Sequence, residues 1–142
     1  MAAYNKFEDF TEQESRGVHN FGAHVFKIAL TNAAPLASNT ALANITQIAA
    51  GFGYAAGGTA TTVAISETAG TTTVTGTAVT FTATGGSIGP FQYAVLYNSS
   101  ATSPLGALIG WWDRGAAATL LDTEQLVVTF GAGSPGTIFT KV

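Results

Sequence analysis

The chain has 142 residues, a formal net charge of −3 and no cysteine, so disulfide scaffolds, thiolate zinc sites and cysteine nucleophiles are excluded. Its length is that of one domain able to bury a core. Charged residues make up 9% of the chain, against about 25% in an ordinary soluble domain. Acidic residues outnumber basic ones, which argues against nucleic acid as a partner.

The few charges are distributed unevenly. Residues 1–27 hold seven of them, residues 28–112 hold only Glu67, and residues 113–142 hold five. The nearly charge-free stretch has two possible interpretations. It forms a Thr-rich sheet surface that faces water, or it is buried against other chains, because charged residues are depleted at the cores of interfaces. The second interpretation predicts a subunit of a larger assembly.

Residues 5–16 are the best helix candidate, because they are rich in Glu and Gln and contain neither Pro nor Gly. Asn5 is placed to cap the start and Gly17 to end the helix. We assign residues 1–23 to an N-terminal arm or short helix, which docks on a neighbouring chain or packs on its own domain. The polar, acidic start resembles no targeting signal, and no apolar run reaches the ~20 residues of a membrane helix, so no membrane partner is expected.

From residue 24 the apolar positions recur every second residue, as in β-strands. Residues 39–50 are ambiguous between a helical turn and a strand, and the glycine-rich residues 51–58 predict a loop or turn. A further turn is expected at residues 113–116. The strand candidates are residues 24–31, 61–66, 71–74, 77–83, 91–98, 107–112, 125–130 and 136–142.

These candidates predict a mainly β domain over residues 24–142. Seven to nine short strands with Gly-rich turns about every 8–12 residues are typical of an antiparallel β-sandwich or a jelly-roll-like barrel. In residues 24–31, Phe26, Ile28 and Leu30 share one face. In residues 91–98, alternation places the aromatic positions on one core face, namely Phe91, Tyr93 and Tyr97 together with Val95.

The sequence offers no complete constellation for catalysis or for binding a cofactor. His19 and His24 have no carboxylate close in sequence, which favours structural histidines over metal ligands. The run GFGYAAGG (51–58) lacks the Lys and Ser/Thr of a phosphate loop. We therefore expect no enzyme, no catalytic residue, no cofactor and no metal site.

Aromatic residues supply the candidate interface. Trp111 and Trp112 are adjacent, so on a strand they face opposite ways, one into the core and one onto an outer face beside Arg114. Aromatics of the N-terminal segment are candidates for docking on a neighbour. The candidate interface residues are Tyr4, Phe7, Phe10, Phe21, Trp111, Trp112 and Arg114.

Four stretches together resemble a known group of proteins. They are KFEDFTEQESRGVHNFGAHVFKIALTNAAP (6–35), ITQIAAGFGYAAGG (45–58), GGSIGPFQYAVLYN (85–98) and LIGWWDRG (108–115). In this order they resemble short Ala/Thr/Gly-rich structural proteins encoded in tailed-bacteriophage and prophage genomes.

The resemblance implies a capsid decoration or cement protein. Such proteins are often compact β-folds that bind the outside of an HK97-like shell as homo-oligomers. The expected partners are the major capsid protein and further copies of the chain, as a dimer or trimer. The expected location is the capsid surface of the virion, after assembly in the host cytoplasm. The alternatives are a tail component (tube, tip or fibre subunit) and a glycan-binding β-domain, for which the Trp111/Trp112 pair is the available platform.

Overall fold

Ten antiparallel strands and one α-helix form the described part of a computed structural model, residues 2–131 and 133–142. The predicted mainly β, sandwich-like class is confirmed. Two of the strands are only two and three residues long and were too short to leave an alternating pattern. In chain order the elements are β1 (Asn5–Lys6), α1 (Asp9–Ser15), β2 (Phe26–Thr31), a 3₁₀ turn (Leu42–Asn44), β3 (Thr59–Thr61), β4 (Val63–Thr68), β5 (Thr71–Gly76), β6 (Val79–Thr82), β7 (Ile88–Asn98), β8 (Leu108–Leu120), β9 (Gln125–Val128) and β10 (Gly136–Lys141).

The strands form three sheets around one main core. A five-stranded sheet has the order β1-β8-β7-β2-β3, a three-stranded sheet the order β10-β5-β4, and β6 pairs with β9. Phe26, Val74 and Phe81 come from the three different sheets and are all buried in the same cluster. The five-stranded sheet therefore packs one face against the two smaller sheets.

A second, smaller cluster covers the opposite face of the five-stranded sheet. Ala29 and Val95 contribute from β2 and β7, and Phe7 and Ile45 pack on them from outside the sheet. Side chains alternate between the two faces along a strand. Phe26, Ile28 and Leu30, which were predicted to share a face, lie in the main core. Ala29 lies in the second cluster. The predicted alternation of β2 is confirmed.

The predicted alternation of residues 91–98 is wrong at its start. Phe91 belongs to the main core, whereas Val95 and Tyr97 belong to the second cluster on the other face. The pairing of β7 with β8 shifts register between Phe91 and Tyr93. The extra residues of this bulge lie in β8, so the regular pairing of β7 is interrupted next to Phe91. Phe91 and Val95 lie on opposite faces of the sheet.

The turn predicted at residues 113–116 is instead a large, irregular bulge within β8. Tyr93 pairs with Asp113 and Phe91 pairs with Ala118, so residues 114–117 stand opposite a single β7 residue, Gln92. Gly115 has a φ of +93°, a backbone conformation that side chains disfavour. The strand resumes beyond the bulge and ends at Leu120.

The helix begins later than the sequence predicts. Asn5 and Lys6 pair with Trp111 and Gly110 as β1, so Asn5 does not cap a helix. The helix α1 starts at Asp9, and Gly17 follows it with a φ of +77°, as expected for a glycine that ends a helix.

Residues 39–50 form a 3₁₀ turn and a loop that continues to the start of β3. The Tyr54 hydroxyl holds this loop on the sheet, since it accepts a hydrogen bond from the Leu30 N–H (3.1 Å) and donates one to Gln47 Oε1 (2.8 Å). Gly58 lies against β2 with a φ of +78°, and a Cβ there would overlap the carbonyl oxygen of Ile28. Only glycine allows this close approach.

Candidate functional site

The structure divides the seven predicted interface residues into three groups by exposure. Four are buried within the chain, two are half-buried, and only Arg114 is exposed. The buried ones are Phe7, Phe10, Phe21 and Trp112, and the half-buried ones are Tyr4 and Trp111.

The N-terminal segment, residues 1–23, packs on its own domain wherever it is described. Phe10 and Phe21 each meet the ring of Phe139 on β10 edge-on, at centroid distances of 5.5 and 5.6 Å. Lys141 on the same strand binds the Glu14 carboxylate at 2.8 Å. Of the two alternatives for this segment, packing on its own domain is the one observed. Its phenylalanines are core residues, which corrects the expectation that they serve as exposed anchors.

The two tryptophans face opposite sides of the five-stranded sheet, as predicted. Trp112 lies in the main core against Tyr4 and Phe130, with ring centroids 5.5 and 5.3 Å away. Trp111 lies on the other face, where the Phe7 ring covers it at 4.5 Å. Trp111 is thus the outer-face tryptophan of the pair, and it is half-buried against Phe7.

A groove of about 380 Å³ lies between β7, β8 and β9, and it brings two of the predicted residues together. Trp112 and Leu30 are buried and line its base, while the exposed Arg114 and the half-buried Gln92 supply polar groups. Most of the lining is apolar, as in pockets that take an apolar group. The lining residues are Ala2, Leu30, Phe91, Gln92, Tyr93, Ala94, Trp112, Arg114, Leu126, Val127, Val128 and Thr129.

The β8 bulge leaves the Arg114 guanidinium available beside this groove. Asp113, its neighbour, is held by the bulge itself, because its Oδ1 accepts hydrogen bonds from Gln92 Nε2 (3.0 Å) and Gly115 N–H (2.7 Å). These two hydrogen bonds hold the pKa of the Asp113 carboxyl below its usual value. Arg114 donates to the Ala116 carbonyl at 3.1 Å and forms no ion pair with any described residue.

A buried polar cluster joins the N-terminal segment to the end of β7. The side-chain amide of Asn98 lies 3.2 Å from His19 Nδ1 and 3.0 Å from His24 Nδ1, and it donates to the Val18 carbonyl at 3.3 Å. Burial lowers the pKa of His19 to about 4. His19 therefore fits a neutral histidine within a structural cluster. The sequence did not reveal Asn98 as their partner, because it lies more than 70 residues away.

Across residues 2–131 and 133–142 no three His, Asp or Glu side chains come close enough to hold a metal ion. No helix in that part of the chain has the length and apolar character needed to cross a membrane. Comparison of the chain with protein-family models, with curated proteins and with solved structures finds no match.

Proposed function

We propose that the chain is a non-catalytic structural protein of a bacteriophage particle that binds the outside of the assembled capsid and stabilises it. The observation that carries the proposal is an exposed surface almost free of charge. Residues 28–112 hold a single charged side chain, yet this stretch includes β4, where five of six residues are exposed. The sequence resemblance to short structural proteins of tailed phages supports the same role.

A charge-poor surface suits close packing against another protein. Burying few charges keeps the desolvation cost of association low. On a shell with many identical sites each contact can be modest, because symmetry repeats it. The expected partner is the major capsid protein, and the expected location is the capsid surface.

The groove beside Arg114 is the proposed docking site on the major capsid protein. An apolar side chain of the partner fills the groove, and a partner carboxylate pairs with the Arg114 guanidinium, which lacks an acidic partner among the described residues. Buried apolar anchors and arginines dominate the energetics of many interfaces.

Immunogold labelling of intact particles, with an antibody against this chain, tests the proposed role. Label distributed over the head supports it. Label restricted to the tail supports a tail component instead and refutes capsid binding. Absence of label from particles that contain the chain by mass spectrometry also refutes a position on the outer surface.

A matched pair of variants tests the docking site. Arg114→Ala should weaken binding of the purified protein to capsids that lack it by roughly tenfold, as for loss of one interface arginine. Arg16→Ala removes the same charge from an exposed arginine that pairs with Glu12 at 2.6 Å and should bind as the wild type does. Equal binding by all three proteins contradicts the assignment of the groove.

A further inference from the structure

The strand β4 is an edge strand whose outer side is unpaired. It pairs with β5 along its whole length in a continuous register, and with no other strand of the described residues. Ile65 stands directly opposite Val74, which is 2% exposed, yet Ile65 itself is 52% exposed. The core-facing side of the sheet thus continues to Ile65 at the edge, where about half of this residue is left uncovered by the described part of the chain.

The contacts of Thr62 establish which backbone groups of β4 face outward. The Thr62 N–H donates to Thr77 Oγ1 at 3.0 Å, and the Thr62 carbonyl accepts from the Thr77 N–H at 3.1 Å. Thr62 therefore turns both groups toward the β5 side of the hairpin. Because successive residues of a strand turn these groups in opposite directions, those of Val63, Ile65 and Glu67 point away from β5.

This edge has few of the features that usually prevent strand association. Exposed edges are commonly protected by Lys, Pro or a bulge, and the β4 sequence VAISET contains neither residue and pairs without a register shift. Its one charge, Glu67, accepts a hydrogen bond from the Gly70 N–H at 2.6 Å. That bond holds the carboxylate at the turn rather than across the edge.

We infer that β4 pairs with β4 of a second copy of this chain, antiparallel, about a twofold axis centred on Ile65. Val63 then stands opposite the partner's Glu67, and Ile65 opposite the partner's Ile65. Each such pair exchanges two backbone hydrogen bonds between outward-facing groups. A twofold axis perpendicular to the sheet keeps its faces aligned, so the two Ile65 side chains cover each other on the core-facing side.

Charge favours this arrangement over other pairings. In the antiparallel pair the two Glu67 residues are offset by four residues, about 14 Å at ~3.4 Å per residue, which exceeds the screening length of roughly 8 Å at physiological salt. A parallel, in-register pair would place them side by side. The antiparallel contact is also closed, because both copies use the same surface, so it ends at a dimer and not a fibre.

The inference stands independently of the proposed role on a capsid, and a cysteine experiment tests its geometry. The chain has no cysteine, so each substitution introduces a single thiol. In a hydrogen-bonded antiparallel pair the Cα atoms lie about 5.5 Å apart, within disulfide range. Ile65→Cys should therefore oxidise to a covalent dimer at least tenfold faster than Val25→Cys. Val25 is a suitable control, since it is 47% exposed, precedes β2 and lies outside both the groove and β4.

The same chemistry tests the register. Val63→Cys and Glu67→Cys should each remain largely monomeric when oxidised alone and crosslink when mixed, because the pairing brings residue 63 of one copy opposite residue 67 of the other. Equal crosslinking of Ile65→Cys and Val25→Cys, or no preference for the mixture, overturns the proposed pairing.

Mass measurements by light scattering over a dilution series test whether the dimer exists. The wild type should have the mass of two chains and dissociate on dilution. Ile65→Lys and Ile65→Pro should be monomeric with unchanged circular dichroism, since the nitrogen of residue 65 does not bond to β5 and proline is tolerated at such edge positions. Val25→Lys should remain dimeric. A wild type that is monomeric throughout, or an Ile65→Lys protein that still dimerises, overturns the inference.

Discussion

Acidification from pH 7.5 to pH 5.0 is expected to destabilise the fold by about 2 kcal/mol through His19. The imidazole is 7% exposed and lies between Phe10 and Phe21, with ring centroids 5.2 and 5.9 Å away. Its Nδ1 faces the Asn98 amide at 3.2 Å, and its Nε2 has no hydrogen-bond partner among the described residues. A protonated ring would lose the acceptor that meets this amide and would carry a buried charge.

The magnitude follows from the two pKa values of His19. Burial lowers the pKa of folded His19 from 6.5 to about 4. The smaller electrostatic effects partly cancel, because the Glu14 and Asp9 carboxylates raise this pKa and His24 lowers it. Between these values the unfolded chain binds a proton that the folded chain does not, so stability falls as pH falls. At pH 5.0 the unfolded imidazole is almost fully protonated and the folded one about one-tenth protonated, which corresponds to about 2 kcal/mol. Well above pH 6.5 His19 is neutral in both the folded and the unfolded chain, so this loss of stability is absent.

Urea unfolding at the two pH values, followed by tryptophan fluorescence, measures this effect. With a denaturant slope of roughly 2 kcal/mol per molar urea, the midpoint of the wild type should fall by about 1 M. His19→Phe removes the titrating group and retains an aromatic ring, so its midpoint should fall by less than half as much. His24→Gln retains His19 and should show the wild-type fall. An equal loss in the wild type and in His19→Phe would refute the reasoning.

Three further substitutions have defined outcomes in the same unfolding assay. Gly58→Ala should cost more than about 2 kcal/mol, because the new Cβ meets the Ile28 carbonyl at a positive φ. Phe7→Ala should cost about 3–5 kcal/mol and shift the emission of Trp111, because a fully buried ring is removed from that indole. Tyr54→Phe should cost about 1–3 kcal/mol, because the hydroxyl bonds a backbone N–H and a glutamine side chain. Losses below about 0.5 kcal/mol would contradict each account.

Hydrophobic alternation located most strands, and it was most informative where a strand buries one or both of its faces. The clearest case is β2, whose Phe26 face and Ala29 face contact two different clusters. The continuation of β8 to Leu120 was not predictable in this way. Residues 113–119 are mostly Ala, Gly and charged residues of low strand propensity, and they are extended because β7 pairs with them on both sides of the bulge.

The candidate site was only partly predictable for a similar reason. Adjacent tryptophans on a strand must face opposite sides, so the division of Trp111 from Trp112 followed from local geometry. What covers each ring depends on contacts between distant segments. Phe7 covers Trp111, and Leu126 and Val128 of β9 line the groove with Trp112. No local pattern specifies such packing between separate sheets.

The groove and the β4 edge have no residue in common and lie on different sheets, so their effects are separable. A dimer joined through β4 carries two grooves, and binding at one raises the effective concentration of the other. Ile65→Lys should therefore weaken attachment to capsids even though its groove is intact, provided that two capsid sites lie within reach of one dimer. Arg114→Ala should weaken attachment without changing the mass of the dimer. If Arg114→Ala instead dissociates the dimer, or if monomeric Ile65→Lys attaches as strongly as the wild type, the two surfaces do not act together as argued.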